Sequence, residues 1–390
     1  MKNQEEREES RGAIHILHLL SSGKFTGAAE PVLRLARAQH EAGHAVKLAV
    51  RRKKPDYLAR KAAEYALSVD DDLSLSVKAW PRLQIKNLIR LYHIWRYGHF
   101  DIIHSHLTND HTLAALARPK NTRTRLVRTL HTERAQGRFR NWQLKRADGL
   151  IVVAEKYRKR LIEAGYLDSD RILTIRGSVD CSRFHPGTGG DGIRRELGID
   201  LDAPVAGIVS RLKEGRGHEW LLEAWKAVHE QAPRAVLVIA GRGPSYRHLH
   251  ALARQGPWSE SVRFLGFRQD LPDVYRAFDV KIILAPGNDG TCRAALEAMA
   301  SGVPVLSSNV GALGEIVDDG KAGAVVPNHD VDALSEALVR LLSQPVKLAE
   351  MGKSARLEAE REFTIERQGE RVEDFYRRVL GDWPQTLTDE

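Results

Sequence analysis

A stretch of small, polar and acidic residues around position 290 carries the clearest candidate chemistry in the chain. Ala285–Val305 has the pattern of a strand end, a tight glycine turn and a helix that begins near Thr291. The free backbone amides of residues 291–293, together with the helix dipole, would form an anion site suited to a diphosphate. Asp289 lies at the mouth of this site, and Glu297 lies about 9 Å further along the helix axis. Two carboxylates so spaced could hold hydroxyl groups at opposite ends of an extended ligand.

The same residues have a simpler interpretation. Asp289 would then be only an N-cap, a common position for aspartate, and Glu297 only a surface residue of the helix. A second stretch, Gly207–Gly217, contains two arginines, Arg211 and Arg216. On local chemistry alone these arginines could form a pair of surface salt bridges.

Alternating strand and helix patterns surround both stretches. This rhythm predicts two doubly wound α/β domains with parallel sheets, and ligands of such sheets bind beyond the carboxyl ends of the strands. We therefore expect the site in the cleft between the two halves of the chain. Pro186–Gly192 has four glycines in seven residues and is predicted to be the interdomain linker. The predicted boundaries are a disordered charged segment at 1–12, a first domain at 13–188 and a second at 189–363.

Length and composition exclude several classes of protein. The 390 residues suggest two domains, and the 42% hydrophobic and 28% charged residues exclude a disordered or collagen-like chain. No apolar run approaches the ~20 residues that span a bilayer, and the first residues are polar, so neither a membrane anchor nor a secretory signal is expected. The two cysteines, Cys181 and Cys292, lie far apart, which fits a reducing compartment and a cytoplasmic protein.

The charge is uneven along the chain. Residues 1–190 hold 35 lysines and arginines against 20 aspartates and glutamates, a balance of +15, whereas residues 191–390 have a balance of −6. On charge alone, the partner of the first half could be nucleic acid, acidic lipid headgroups or a phosphorylated substrate. Nucleic acid is not expected, because the sequence has no groove-reading motif and no platform of aromatic and basic residues.

The stretch that begins at Asp289 resembles the signature of glycosyltransferase family 4, whose members are retaining enzymes with the GT-B fold. That signature has an acidic residue, seven others and then Glu-Ala-Met-Ala, followed by Gly and Pro-Val. Glu297–Ala300, Gly302 and Pro304–Val305 match it, and Asp289 stands where Glu is usual. The resemblance implies two Rossmann-like domains facing a cleft and a C-terminal segment, 364–390, whose helix crosses back to the first domain.

The resemblance extends over nearly the whole chain and assigns roles residue by residue. Arg211 matches a diphosphate-binding arginine of the family, and Arg216 stands where lysine is usual. Asp289 would address the donor sugar and Glu297 the ribose, with His131 at a sugar- or phosphate-contacting position. These implied catalytic groups are Asp289, His131, Arg211 and Arg216. The other implied donor-binding residues, besides Glu297, are Gly27, Gly241, Phe267, Gly290, Thr291, Cys292 and Arg293.

The acceptor side is assigned to the first domain. The resemblance places there the glycine loop Gly23–Gly27 with Gly23 and Lys24, followed by His106 and Asp110. The alternative for the loop is an ordinary turn between a strand and a helix. His104 and His106 share a strand face, but no third metal ligand is evident by spacing, and the family is typically metal-independent. Packing and acceptor contact stay open for these histidines, and no metal or other cofactor is expected.

Residues 80–97 have the composition of a helix with both apolar and basic residues. Such a helix suits either the surface of an anionic membrane or the core packing of an α/β domain, and the sequence favours core packing. The excess of positive charge in the first half favours some peripheral contact with an anionic membrane.

These observations predict a glycosyltransferase that moves a sugar from a nucleotide-diphosphate donor, UDP being favoured, to a hydroxyl group of a glycan or lipid-linked acceptor with retention. The expected setting is cell-envelope glycan or lipopolysaccharide assembly at the inner face of the membrane. Two alternatives are a non-catalytic sugar-nucleotide or lipid-binding protein on the GT-B scaffold and a nucleotide-sugar epimerase of the same fold.

Overall fold

The computed structural model describes residues 12–22, 29–51, 57–70, 72–73, 75, 81–131, 138–284 and 289–381, without the side chains of 81–83, 138–140 and 289–292. The chain divides into two compact units. The first unit consists of Met1–Ile175 with Ile365–Glu390, and the second of Arg176–Thr364. Each unit has its own parallel sheet and its own hydrophobic core.

The first unit is built on a seven-stranded parallel sheet. Its strands are β1 (His15–Leu20), β2 (Ala45–Val50), β3 (Ser68–Val69), β4 (Ile102–Ser105), β5 (Arg125–Leu130), β6 (Gly149–Val152) and β7 (Ile172–Thr174). The order across the sheet is β3-β2-β1-β4-β5-β6-β7, so the chain moves outward from β1 and then returns to β4 on its other side. The carboxyl ends of β1 and β4 therefore form the switch point at which doubly wound sheets bind ligands.

Helices cover both faces of this sheet. They are α1 (Ala29–Glu41), α2 (Tyr57–Glu64), α3 (Pro81–Tyr97), α4 (Thr108–Ala117), α5 (Arg138–Lys145) and α6 (Glu155–Glu163). Successive side chains of a strand point to opposite faces, so Ile16 and Leu20 enter one buried cluster while Leu17 and Leu19 enter the other. Burial on both faces explains why four of the six residues of β1 are apolar.

The second unit has a six-stranded parallel sheet with the order β10-β9-β8-β11-β12-β13. Its strands are β8 (Val205–Val209), β9 (Val236–Ala240), β10 (Val262–Gly266), β11 (Val280–Ile283), β12 (Val305–Ser308) and β13 (Gly323–Val326). Here the chain reverses between β8 and β11, which places a second switch point at the carboxyl ends of these two strands. The two doubly wound sheets predicted from the sequence are confirmed.

Eight helices in the described part of the second unit accompany this sheet. They are α7 (Gly190–Glu196), α8 (His218–Gln231), α9 (Tyr246–Ala253), α10 (Leu271–Arg276), α11 (Asp289–Ala300), α12 (Leu313–Ile316), α13 (Val331–Leu342) and α14 (Pro345–Glu362). Helix α11 begins at Asp289 rather than near Thr291. Asp289 is therefore the first residue of the helix, which continues past Glu297 as expected.

The boundary between the units differs from the prediction. It falls between Ile175 and Arg176 instead of at 188, and the predicted linker lies inside the second unit. The glycines there serve close packing: a Cβ at Gly190 would lie 2.4 Å from the backbone of Arg276, and one at Gly189 would lie 1.9 Å from a carboxylate oxygen of Asp273. The glycines of the stretch predicted to be the interdomain linker thus permit close packing within the second unit.

The C-terminal helix α15 (Ile365–Leu380) belongs to the first unit, in agreement with the expectation that it crosses back. Phe375 and Tyr376 are fully buried in the core of that unit. Glu373 pairs with the buried His44 at 3.0 Å, and this contact together with Arg377 lowers the pKa of the Glu373 carboxyl to about 2. Helix α15 is therefore an integral part of the first core.

Candidate functional site

In the second unit, backbone hydrogen bonds join the carboxyl ends of three neighbouring strands, β8, β9 and β10. Ser210 donates its backbone N–H to the carbonyl of Ala240 at 3.0 Å, and Gly241 donates to the carbonyl of Gly266 at 2.7 Å. Gly241 has a φ of 141°, and a Cβ there would lie 1.9 Å from the carbonyl oxygen of Ser210. Only glycine allows this approach, which places the predicted donor residue Gly241 beside the segment that carries Arg211.

Two arginines of this unit have guanidinium groups that pair with none of the described residues. Arg211 is exposed just beyond the end of β8, and Arg216 is half-buried two residues before α8. Neither side chain has an acidic partner among the described residues, so no salt bridge of the alternative interpretation is seen there. Two unneutralised cations at a switch point are suited to an anionic ligand.

Glu297 lies on α11 and is buried, with 6% of its surface exposed, so it is not the surface helix residue of the simpler interpretation. Tyr275 donates its hydroxyl proton to one carboxylate oxygen of Glu297 at 3.0 Å, and the Nε of Arg293 lies 3.5 Å from the other. Burial and the neighbouring carboxylate raise the pKa of the Tyr275 hydroxyl well above its usual value. Tyr275 thus stays a proton donor and fixes the orientation of the carboxylate.

Phe267 presents a large exposed aromatic surface just after β10. Its side chain is 54% exposed, and the guanidinium of Arg242 lies 4.2 Å from the ring centroid. A flat ring in contact with a cation offers a stacking surface of the kind that binds a nucleobase. The donor-binding role that the resemblance assigns to Phe267 stays a prediction.

Several predicted residues cannot be placed in detail. Gly23, Lys24 and Gly27 lie outside the described residues. For Asp289, Gly290, Thr291 and Cys292 only the helical backbone is described, within α11. Their assigned roles stay predictions.

In the first unit, the buried carboxylate of Asp110 accepts hydrogen bonds from two backbone segments at the switch point. It is fully buried on α4, and its carboxylate accepts backbone hydrogen bonds from Ser21 at 2.9 Å and Leu107 at 2.9 Å. The Nη1 of Arg128 lies 3.4 Å away, and burial outweighs this cation to raise the pKa of Asp110 to about 6. Asp110 therefore holds together the segments that follow β1 and β4 and lies beneath the surface on the predicted acceptor side.

Histidines gather beside Asp110. His18 Nδ1 lies 2.9 Å from His106 Nε2, and the ring of His131 stacks on His106 with centroids 5.7 Å apart. His104 lies between the hydroxyls of Tyr376 at 2.6 Å and Thr129 at 2.7 Å. His104 and His106 are buried, which satisfies the packing interpretation, and His131 is half-buried at the end of β5.

His18, His104 and His106 also bring one nitrogen each within 4.8 Å of the others, so His18 is the third metal-ligand candidate that spacing alone did not reveal. The trio also has hydrogen bonds of its own: His104 uses both nitrogens, and His18 Nε2 lies 2.7 Å from Gln39 Oε1, while Arg128 adds positive charge nearby. A neutral hydrogen-bonded network is therefore an alternative to a metal centre, and the expectation that no metal binds stays a prediction.

Sequence reasoning missed Tyr275 and His18 in these sites, and also two buried polar residues of the second unit, His218 on α8 and Lys281 on β11. One signal was available. Lys281 interrupts the apolar strand Val280–Ile283, whereas central parallel strands are normally apolar throughout. The other three become visible only through the fold, since His18 meets His104 by strand register and Tyr275 meets Glu297 across two helices.

Two family models together match most of the chain, one in each unit for the greater part of its length. Residues 191–358 match the family described as Glycosyl transferases group 1, and residues 25–183 match Glycosyltransferase Family 4. The chain is 32% identical over 320 residues to a D-inositol 3-phosphate glycosyltransferase of Saccharomonospora viridis, covering 75% of this chain and 73% of that protein. It is 32% identical over 233 residues to a GDP-mannose-dependent monoacylated alpha-(1-6)-phosphatidylinositol monomannoside mannosyltransferase of Corynebacterium glutamicum, covering 57% and 60%.

Among solved structures, Anabaena HepE in complex with UDP matches 95% of this chain and 100% of its own with a TM-score of 0.75 at 21% identity. That likeness establishes the fold, and the sequence matches establish the family. The chain has the GT-B fold and belongs to glycosyltransferase family 4.

Proposed function

We propose that this protein transfers a sugar from a nucleoside diphosphate sugar, with UDP as the favoured nucleotide, to an acceptor hydroxyl group with retention of configuration. The observation that carries the proposal is the pair Arg211 and Arg216. Both have guanidinium groups that no described residue neutralises, and both follow β8 at the switch point of the second unit. A diphosphate leaving group would supply the missing negative charge.

The described residues suggest how the donor would be held. Glu297, oriented by Tyr275, can accept hydrogen bonds from the ribose hydroxyls, and the ring of Phe267 can stack on the base. The arginines would stabilise the departing diphosphate, and Asp289 would position the sugar. Catalysis would then rest on positioning and on electrostatic stabilisation of the leaving group.

Retention is proposed to follow a front-face path, in which the acceptor hydroxyl enters on the side from which the diphosphate leaves. The sequence offers no dedicated nucleophile for a double displacement. Mass spectrometry of the protein after incubation with donor should find no covalent sugar adduct. A trapped glycosyl–protein adduct would contradict the front-face path.

The acceptor is proposed to be a glycan or lipid-linked molecule that carries negative charge. The first 190 residues have a balance of +15, and the named relatives act on an inositol phosphate and a phosphatidylinositol mannoside. Cell-envelope glycan assembly would present such acceptors. His131, half-buried just after β5, would contact the acceptor.

Thermal unfolding with a panel of UDP, GDP, ADP and their sugars tests the donor site directly. We expect one diphosphate to raise the midpoint with or without EDTA, since a ligand that binds only the folded state at free concentration L stabilises it by RT ln(1 + L/Kd). A preference for GDP would assign a different base to the same site. A failure of every nucleotide to shift the midpoint would favour the alternative of a non-catalytic scaffold, and unchanged donor hydrolysis in Asp289→Asn would remove the role proposed for that carboxylate.

Helix α3 is proposed to be the membrane-facing surface. Its buried side includes Leu91 and Trp95, whereas Ile85, Ile89 and Tyr92 are 46–54% exposed. Lys86 and Arg96 are exposed beside these apolar residues, which suits the surface of an anionic bilayer. Among the described helices, none is long and apolar enough to cross a membrane.

The double variant Ile85→Glu/Ile89→Glu should therefore lose co-sedimentation with vesicles that contain an acidic phospholipid, because it places two charges in the apolar stripe. The matched control is Leu116→Glu on α4, which changes another apolar residue that is 52% exposed. Equal sedimentation of all three proteins would exclude α3 as the contact surface.

A further inference from the structure

Helix α14 of the second unit leaves large apolar side chains in water. Val346 is 74% exposed and Leu357 is 67% exposed, which makes them the two most exposed large aliphatic side chains among the described residues. Both lie on one face, because 11 residues advance an α-helix by about three full turns. The opposite face packs into the second unit through Met351, Ala355 and Ala359, which are buried. Apolar side chains left in water on one face indicate a contact surface.

Two residues of opposite charge lie on the same face between the apolar ones. Glu350 and Lys353 are exposed, and their charged groups pair with none of the described residues. The steps from Val346 to Glu350, Lys353 and Leu357 are four, three and four residues, which is the spacing of the contact seam in a coiled coil. A seam with one acid and one base does not suit an anionic bilayer, which attracts basic helices. It suits a second helix.

The order of these four residues is complementary to itself when the helix is reversed. In two antiparallel copies of α14 related by a two-fold axis between positions 351 and 352, Val346 lies opposite the partner's Leu357. In the same arrangement Glu350 lies opposite the partner's Lys353, so apolar groups meet apolar groups and each charge meets its opposite. A parallel pair in register would place like charges together. The charges therefore favour an antiparallel second copy of this chain as the occupant.

A cavity beside this seam offers room for the partner. It has a volume of about 1060 Å³, and Ala349, Lys353 and Leu357 of α14 line it. Leu201, which is 50% exposed, lines it as well and adds apolar surface. The other lining residues include those that immediately precede β8, β9, β11 and β12, so the cavity lies at the amino ends of these strands. Within the second unit, this surface is therefore at the opposite end of the sheet from the candidate donor site.

We propose that the exposed face of α14 is the interface of a homodimer, in which α14 of a second copy packs on it antiparallel across a two-fold axis. Burial of Val346 and Leu357 from both copies stabilises the dimer, and the contacts between Glu350 and the partner's Lys353 fix its register. Each contact forms twice, because a two-fold axis repeats it. The inference goes beyond the proposed function and does not depend on it, since no residue of the donor site takes part.

Sedimentation velocity of the full chain, from low to high micromolar concentration, tests the interface. The wild type should form a dimer whose fraction rises with concentration. Leu357→Glu should raise the dissociation constant of the dimer by about tenfold or more, because it places two carboxylates in the apolar contacts. Leu116→Glu, at a leucine of α4 that is 52% exposed, is the matched control and should dimerise as the wild type does.

Exchange of the charges tests the register of the two helices. Glu350→Lys and Lys353→Glu should each weaken the dimer, because each variant sets two pairs of like charges against one another. The double variant Glu350→Lys/Lys353→Glu should dimerise again, and an equimolar mixture of the two single variants should form a heterodimer. Glu336→Lys, the same change at an exposed position of α13, should leave the dimer unaltered.

Three results would overturn the inference. They are a wild type that stays monomeric at every concentration, a dimer that persists unchanged in Leu357→Glu, and a double charge variant that stays monomeric. Far-UV circular dichroism of each variant shows whether the substitution has left the fold intact, as the exposure of all three positions predicts. Nucleotide binding by the same proteins bears only on the proposed function, so the two can fail separately.

Discussion

Replacing Arg211 by alanine should reduce donor turnover by about 10²–10³-fold, the loss seen when one preorganised donor to a developing negative charge is removed. The guanidinium is exposed beyond β8 and pairs with no described residue, so its removal breaks no contact of the described fold. Stability should change by no more than about 0.5 kcal/mol. Rates of donor hydrolysis and of transfer, measured beside the unfolding midpoint, check both statements.

Arg254→Ala is the matched control, because it removes another exposed arginine of the second unit near the end of α9. Its turnover should equal that of the wild type. Arg211→Lys should recover only part of the activity, since a lysine keeps the charge but cannot contact two oxygens in the fork geometry of a guanidinium. Full activity in Arg211→Ala would show that the leaving group is stabilised elsewhere.

The strands and helices could be predicted because each depends on a pattern of residues that are close together in the sequence. The apolar runs at β1, β8 and β9, each followed by a turn and a helix, are enough to predict parallel sheets, whereas the strand order that fixes the switch points comes from the structure. Glu297 could be singled out from its own segment after a strand, and Arg211 through the family resemblance of the segment that contains it. The bounds of the units were harder to predict, because glycine serves both flexible segments and close packing, and composition does not distinguish these uses.

Contacts between distant segments were not predictable from one sequence. His44 meets Glu373 and Tyr376 meets His104 across more than half of the chain, and such partners depend on which helix packs on which strand. The resemblance anticipated the returning helix but not its partners. Lys281 is intermediate, since its presence in an apolar strand was visible in the sequence while its complete burial was not.

The first unit should lose stability steeply in mild acid, between about pH 6.5 and 4. His18, His104, His106 and His111 are buried and neutral there, and burial lowers the pKa of His18 to about 4, of His111 to about 3 and of the other two well below the usual value. In the unfolded chain these histidines take up protons below about pH 6.5. Since the unfolded state then binds more protons, lowering the pH favours unfolding.

The size of the effect follows from linkage. At pH 5, His18 alone removes about 2 kcal/mol of the stability present at pH 8, and four such residues compare with the ~5–15 kcal/mol of a whole domain. Asp110 acts in the opposite direction. Burial raises its pKa to about 6, so the folded state holds a proton that the unfolded state lacks, and this offsets about 1 kcal/mol at pH 5. At pH 5 the net effect of the four histidines and Asp110 on the free energy of unfolding remains strongly destabilising.

Urea unfolding at pH 8, 6.5, 5.5 and 5, followed by hydrogen exchange of peptides from each unit, measures this loss where it arises. His111→Gln removes one buried imidazole from α4, and its pH dependence should be shallower than that of the wild type, whatever its stability at pH 8. His248→Gln changes an exposed histidine on α9 and should leave the slope unaltered. A first unit as stable at pH 5 as at pH 8 would mean that the buried network accepts protons, and His106, whose buried Nδ1 has no hydrogen-bond partner among the described residues, would be the first group to suspect.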